Sequence, residues 1–200
     1  MLLQWKGMGI VKYVPFFVCY LLVPVTIYIL TRYDDAHVYK ADIAWEQITL
    51  FYPIMSAWWI TLVMEISTDG DGELFYLYEK NKWADALICY TAFLVSILPV
   101  CIWLLNKWPD DIYPFYFADL FSQCFISVGI VYLISSLLKS ITVSFTVMLV
   151  FNMFAYGRIS NIVDNLSGDY IAQYIFTPIP FLVLGIICLL LGKSAQEWKQ

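Results

Sequence analysis

Charged side chains are scarce in this chain. Asp, Glu, Lys and Arg make up 14% of the 200 residues, whereas a soluble domain has about a quarter. Hydrophobic residues make up 62%, and the mean hydropathy is +0.74. A water-soluble fold of this size could not bury that much apolar surface. The composition therefore predicts an integral membrane protein, with a single membrane domain over residues 1–200.

The sequence also lacks the motifs of intramembrane catalysis. Its single histidine, His37, falls in a predicted loop, and the metalloprotease motif H-E-x-x-H does not occur. Asp119 has no second aspartate with which to form a protease pair. The Gly-Lys-Ser sequence that begins at Gly192 is not a phosphate-binding loop, because the preceding glycine, Gly185, stands at the wrong spacing. We therefore expect no catalysis, metal or cofactor in this chain.

Two further partner chemistries are not indicated. No run of lysine or arginine suggests nucleic acid. No C-x-x-C pair suggests zinc or a disulfide framework. The cysteines all lie in apolar stretches, and we interpret them as small buried hydrophobic residues: Cys19, Cys89, Cys101, Cys124 and Cys188.

Six apolar segments have roughly the length that a spanning helix needs, about 20 residues. They cover residues 13–30, 45–64, 84–105, 117–138, 141–156 and 177–192. The first is longer than the apolar part of a signal peptide and lacks a cleavage pattern. Only Lys139 and Ser140 separate the fourth from the fifth, which predicts an antiparallel helix pair. The expected fold is therefore all-α, a polytopic membrane protein with six transmembrane helices.

The distribution of positive charge predicts the orientation, since six spans place both termini on one side. That side would carry seven lysines: Lys6, Lys12, Lys80, Lys82, Lys139, Lys193 and Lys199. The other side would carry four bases: Arg32, Lys40, Lys107 and Arg158. Lysine and arginine favour the cytoplasmic side. We therefore expect both termini in the cytoplasm and a location in the cell membrane.

The longest polar interruption, residues 66–83, would then be the largest cytoplasmic loop. A short helix beginning near Glu73 would place Leu74, Leu77 and Tyr78 on one apolar face. Two interpretations of that face stay open. It binds a protein partner, or it packs against the protein's own helices or the membrane surface.

This loop resembles the loop of ABC-2 permeases, the membrane subunits of ATP-driven exporters, which carry a pattern of the type E-x-x-x-G-x-L-E-x-L. The corresponding residues here are Glu65, Gly70, Gly72, Glu73, Leu74 and Leu77. The tight turn within Leu133 to Leu149 also resembles that family. Residues 157–176 match the position of its partly re-entrant outer segment. Asp69 and Asp71 stand where the family often has arginines.

The resemblance implies an ABC exporter-like (type V) architecture and several partners. ATP and Mg²⁺ would be bound by a separate cytoplasmic ATP-binding subunit, and a second permease copy would complete the transporter within the lipid bilayer. The coupling to the ATPase would involve Glu65, Glu73, Leu74, Phe75, Leu77 and Tyr78. In that family cargo passes along spans one, two and five, which points to Trp58, Trp59 and Asn152. The apolar interior favours an amphipathic or hydrophobic cargo, a small peptide first, for export or self-protection.

Other functions remain open from the sequence. The deepest ionisable residues, Glu65 and Asp119, lie at predicted helix ends, which argues against proton or sodium coupling but not against a passive channel. A second possibility is a non-transporting membrane assembly or immunity protein, which would also present a cytoplasmic helix with an apolar face. Several polar residues are predicted inside the spans, and we expect them to form hydrogen bonds between helices rather than to line a translocation path. They are Gln123, Ser127, Ser135, Ser136, Ser144, Thr146 and Asn152.

Overall fold

The computed structural model describes residues 9–32, 37–68, 82–107, 113–167 and 178–197. These residues are helical almost throughout, and none of them forms a strand. The helices are α1 (Val11–Arg32), α2 (His37–Thr68), α3 (Lys82–Lys107), α4 (Tyr113–Leu138), α5 (Ile141–Ser167) and α6 (Pro178–Glu197).

Among the described residues, five helices are long and apolar enough to cross a membrane. Their apolar spans are Val11–Arg32, Ala44–Glu65, Lys82–Trp103, Tyr116–Leu138 and Pro178–Glu197. The protein is therefore an all-helical membrane protein, as the composition predicts. The predicted span 141–156 lies within α5, whose apolar stretch Ile141–Phe154 is shorter than a spanning helix needs among the residues that the structure describes. The helix itself continues to Ser167, so the residues from Gly157 begin as helix rather than as a re-entrant break.

Helix α4 forms the centre of the bundle. Within its span 72% of the residues are buried, against 22% in α6 and 28% in α1. The outer helices turn apolar side chains outward, as Leu182, Ile186 and Leu190 of α6 illustrate. Large apolar side chains exposed in this way would be unfavourable in water and are favourable against lipid. The core therefore lies around α4 and α2, and the remaining helices face the bilayer.

Glycines bring α6 directly against α4. A Cβ atom at Gly185 would lie 2.5 Å from the Phe125 ring, and one at Gly192 would lie 2.7 Å from the Tyr132 ring. Both contacts advance in the same direction along the two helices, so α4 and α6 run parallel. Small residues permit this close approach where lipid supplies no hydrophobic driving force between helices.

We expect Gly185→Ala to lower the free energy of unfolding by about 1 kcal/mol, because the added methyl group collides with the Phe125 ring. Detergent denaturation of the purified protein measures this change. Val183→Ile is the control, since it adds one carbon on the lipid-facing side of the same helix, where Val183 is 49% exposed. Equal stability of the two variants would contradict tight packing at Gly185.

The predicted tight turn between the fourth and fifth helices is present. Lys139 adopts φ 54°, and its N–H donates to the Ser135 carbonyl at 3.0 Å, which ends α4. Asn152 Nδ2 donates to Ser127 Oγ at 3.0 Å, and these residues stand at equal distances from the turn. The antiparallel pairing of α4 and α5 is thus confirmed.

Helix α1 is irregular because Pro15 and Pro24 lack N–H donors. It changes from a 3₁₀ turn through α to π geometry and back to α over Val11–Tyr13, Val14–Phe17, Val18–Leu22 and Val23–Arg32. Pro15 cannot donate to the carbonyl of Val11. In the π register Pro24 cannot donate to the carbonyl of Cys19. The Cys19 carbonyl therefore needs another donor inside the membrane, whereas the Val11 carbonyl keeps the 3₁₀ bond from the Val14 N–H and can accept from a second donor.

Helix α2 supplies those donors. Trp58 Nε1 donates to the Val11 carbonyl at 3.0 Å, and the Tyr52 hydroxyl donates to the Cys19 carbonyl at 3.2 Å. Trp59 Nε1 adds a bond to the Lys12 carbonyl at 2.9 Å. These bonds run antiparallel along the two helices and fix α1 against α2.

Candidate functional site

A groove of about 370 Å³ lies among the residues that the structure describes. Its lining comes from the start of α1, the last turns of α2 and the first turns of α5. The residues are Val11, Trp58, Thr61, Leu62, Glu65, Ile141, Thr142, Phe145 and Thr146. We call it the α2–α5 groove.

Aromatic packing holds the two sides of the α2–α5 groove together. Trp58 meets Phe145 edge-on, with ring centroids 5.6 Å apart. Trp58 is also held by its hydrogen bond to the Val11 carbonyl, so one indole fixes the relative positions of α1, α2 and α5. A movement of α2 against α5 would have to change this contact.

The threonines make the groove less polar than its composition suggests. Thr61 Oγ1 donates to the Ala57 carbonyl at 2.7 Å, and Thr146 Oγ1 donates to the Thr142 carbonyl at 2.8 Å. Hydroxyl groups bonded to their own helix leave little donor capacity for a ligand. The walls therefore favour an apolar or aromatic occupant.

A carboxylate stands at one end of the groove. Glu65 is exposed there and lies at the end of the apolar span of α2. Glu65 is also the first residue of the loop pattern that resembles ABC-2 permeases. The described lining of the groove thus includes Glu65, one turn before α2 ends at Thr68.

The predicted path residues fall in different places. Trp58 lines the groove, but Trp59 points into the core, where it packs on Phe16 at 5.5 Å and Phe93 at 6.2 Å. Asn152 faces α4 and bonds to Ser127. The structure therefore brings one of the three predicted residues to the groove. The predicted coupling residues other than Glu65 lie outside the described residues: Glu73, Leu74, Phe75, Leu77 and Tyr78.

The groove also contains residues that sequence reasoning did not single out. Thr61, Leu62 and Glu65 follow Trp58 at helical spacings of three, four and seven residues, and so share its face. Phe145 follows Ile141 by one turn. The helical spacing of the α2 residues would have identified them as one face of that helix. No local sequence pattern indicates that this face lies against α5.

Buried polar residues follow α4 rather than the groove. Gln123 Nε2 donates to Asp119 Oδ2 at 2.8 Å, and Gln196 Nε2 of α6 donates to Ser136 Oγ at 3.2 Å. The Ser127–Asn152 and Ser136–Gln196 bonds join helices as predicted. The other predicted interior polar residues bond within their own helix or its preceding turn: Gln123, Ser135, Ser144 and Thr146. Asp119, expected at a helix end, is only 6% exposed. No group of three possible metal ligands lies together in the described parts of the chain.

Comparison with known proteins gives no relative for this chain. No protein-family model matches it, and no match is found among curated proteins or solved structures. The site must therefore be interpreted from its own geometry.

Proposed function

We propose that this protein is the permease subunit of an ABC-2-type exporter, with six spans, both termini in the cytoplasm and a separate ATP-binding subunit. The observation that carries the proposal is the α2–α5 groove. Its lining combines the first, second and fifth helices, and it includes Glu65, the first residue of the family-like loop pattern.

Helix direction supports six spans, although only five helices satisfy the length and hydropathy criteria among the described residues. Helices α4 and α6 run parallel, so the chain has to return across the bundle between them. Helix α5 packs antiparallel to α4 and has 27 residues, about 40 Å of helix. That length suffices for the roughly 30 Å hydrocarbon core even though its second half is polar.

The groove also suits the proposed cargo. Its walls offer Trp58, Phe145 and Leu62, with the Thr61 and Thr146 hydroxyls bonded to their own helices. Such a surface accepts an amphipathic or hydrophobic molecule, and we propose a small peptide. ATP-driven closure of the partner subunits would act on residues 66–83. The displacement would then reach α2 at Glu65 and alter the Trp58–Phe145 contact.

Co-purification from native membranes tests the proposal. We expect wild-type protein to bring down an ATP-binding subunit with measurable ATP hydrolysis, and Leu77→Asp to lose both. Leu77 lies on the predicted apolar face of the loop helix, so a buried carboxylate there would disrupt the contact. Tyr76→Asp is the matched control, because position 76 falls on the opposite face of the same helix.

Each other outcome would refute part of the proposal. If no ATPase accompanies wild type, the exporter function is wrong. If the ATPase is retained by Leu77→Asp at equal protein levels, coupling does not use this face. Equal loss in Tyr76→Asp would indicate that the whole segment, rather than one face, is required.

A further inference from the structure

A second cleft, separate from the α2–α5 groove, opens between α1 and α3. Its volume is about 240 Å³, and its lining consists of Tyr20, Pro24, Pro99, Val100 and Trp103. The two prolines face each other across it. A proline bends its helix and displaces the preceding carbonyl. Pro24 and Pro99 therefore lie on neighbouring helices at the same cleft, where proline removes a backbone N–H from each helix.

One hydrogen bond defines the register of this pair. The Tyr20 hydroxyl donates to the Ser96 carbonyl, three residues before Pro99. Pro24 and Val100 then lie one turn farther along their helices, so α1 and α3 run parallel here. Tyr20 and Trp103 are 42% and 40% exposed, which leaves the cleft open toward the lipid.

Both helices end in a base at the same end of the cleft. Arg32 closes α1 and Lys107 closes α3, each about 17 Å along its helix from the Tyr20–Ser96 bond. Lys107 Nζ lies 4.8 Å from the centroid of the Trp103 ring, which lines the cleft. Both bases are exposed. Two basic residues thus lie beyond the same end of the apolar cleft, and Lys107 contacts the Trp103 ring that lines it.

We propose that this cleft binds an anionic phospholipid, with one acyl chain between Tyr20 and Trp103 and the phosphate at Arg32 and Lys107. An apolar recess that opens toward the hydrocarbon of the bilayer can accept an acyl chain from the side. The two bases complement a negative headgroup. Trp103 has the amphipathic character of residues at the headgroup level. Asp34, Asp35, Asp110 and Asp111 follow these helix ends in sequence, outside the described residues.

This assignment is independent of the exporter proposal, because it uses neither the α2–α5 groove nor an ATPase. The test is native mass spectrometry of the full-length protein in detergent with equal amounts of phosphatidylglycerol and phosphatidylcholine of identical acyl chains. We expect preferential retention of phosphatidylglycerol by wild type. Arg32→Gln with Lys107→Gln should reduce that preference by about fivefold for each charge removed. Lys193→Gln is the matched control, a lysine beside Trp83 (5.8 Å) but in α6.

A second variant tests the cleft itself without changing charge. Val100→Phe should fill the recess and lower retention of phosphatidylglycerol at least as much as the double charge variant does. Equal retention of the two lipids by wild type would overturn the proposal. So would an undiminished preference in the Arg32/Lys107 variant, or an equal loss in Lys193→Gln. Unchanged retention by Val100→Phe would show that the acyl chain does not occupy this cleft, which would also overturn the proposal.

Discussion

Thr142→Trp is expected to reduce peptide-stimulated ATP hydrolysis of the reconstituted permease–ATPase complex by about tenfold. Thr142 forms part of the α5 wall of the α2–α5 groove, opposite Thr61 and Leu62. A tryptophan there would occupy much of a 370 Å³ recess. Inserting such bulk costs on the order of 1–3 kcal/mol, which either excludes the cargo or separates α2 from α5. A set of short synthetic amphipathic peptides serves as the probe.

Val143→Trp distinguishes occlusion from a general effect of size. Val143 is the next residue of α5, is 42% exposed and does not line the groove. We expect this variant to retain stimulated hydrolysis, and both variants to co-purify with the ATPase. If the complex containing Thr142→Trp hydrolyses ATP normally in response to peptide, the groove is not on the cargo path. That conclusion holds even if the permease still binds the ATPase.

The long apolar stretches and the tight turn were predictable because both are local properties. Because only Lys139 and Ser140 separate the two helices, the chain must reverse its direction there. Lys139 adopts the left-handed backbone geometry that ends α4. The second half of α5 was not predictable in this way. Hydropathy falls after Tyr156, so residues 157–167 look like a loop, although they continue the helix. Backbone hydrogen bonds, rather than side-chain hydrophobicity, decide helix length there.

The candidate site was predictable only in part, because its geometry depends on partners distant in sequence. Trp58 and Trp59 are adjacent and look equivalent, yet the helical turn sends one to the groove and the other to the core. Both indoles donate to carbonyls of α1. Prolines in α1 signal that donors are missing, but only the packed structure shows that α2 supplies them.

Tyr52→Phe is expected to lower the free energy of unfolding by about 2 kcal/mol, measured by detergent denaturation. An average interhelical hydrogen bond in a membrane contributes only about 0.6 kcal/mol. The cost here should be larger, because removal of the hydroxyl leaves the Cys19 carbonyl without its cross-helix donor in the core. An unsatisfied buried acceptor costs about 1–3 kcal/mol. The remaining ring still packs edge-on against Phe93 at 6.4 Å. Tyr28→Phe, on the exposed side of α1, is the control.

A double-mutant cycle with Pro24→Ala tests why the hydroxyl matters. Alanine restores an N–H at the position that the Cys19 carbonyl faces in the π register, so the backbone can then supply the donor itself. On that background we expect Tyr52→Phe to cost less than about 0.5 kcal/mol, within the range of ordinary substitutions. An unchanged cost of about 2 kcal/mol on both backgrounds would mean that Tyr52 stabilises the bundle independently of the proline. If Tyr52→Phe costs less on the Pro24→Ala background, α1 owes its π segment to Pro24 and its position in the bundle to a hydrogen-bond donor from α2.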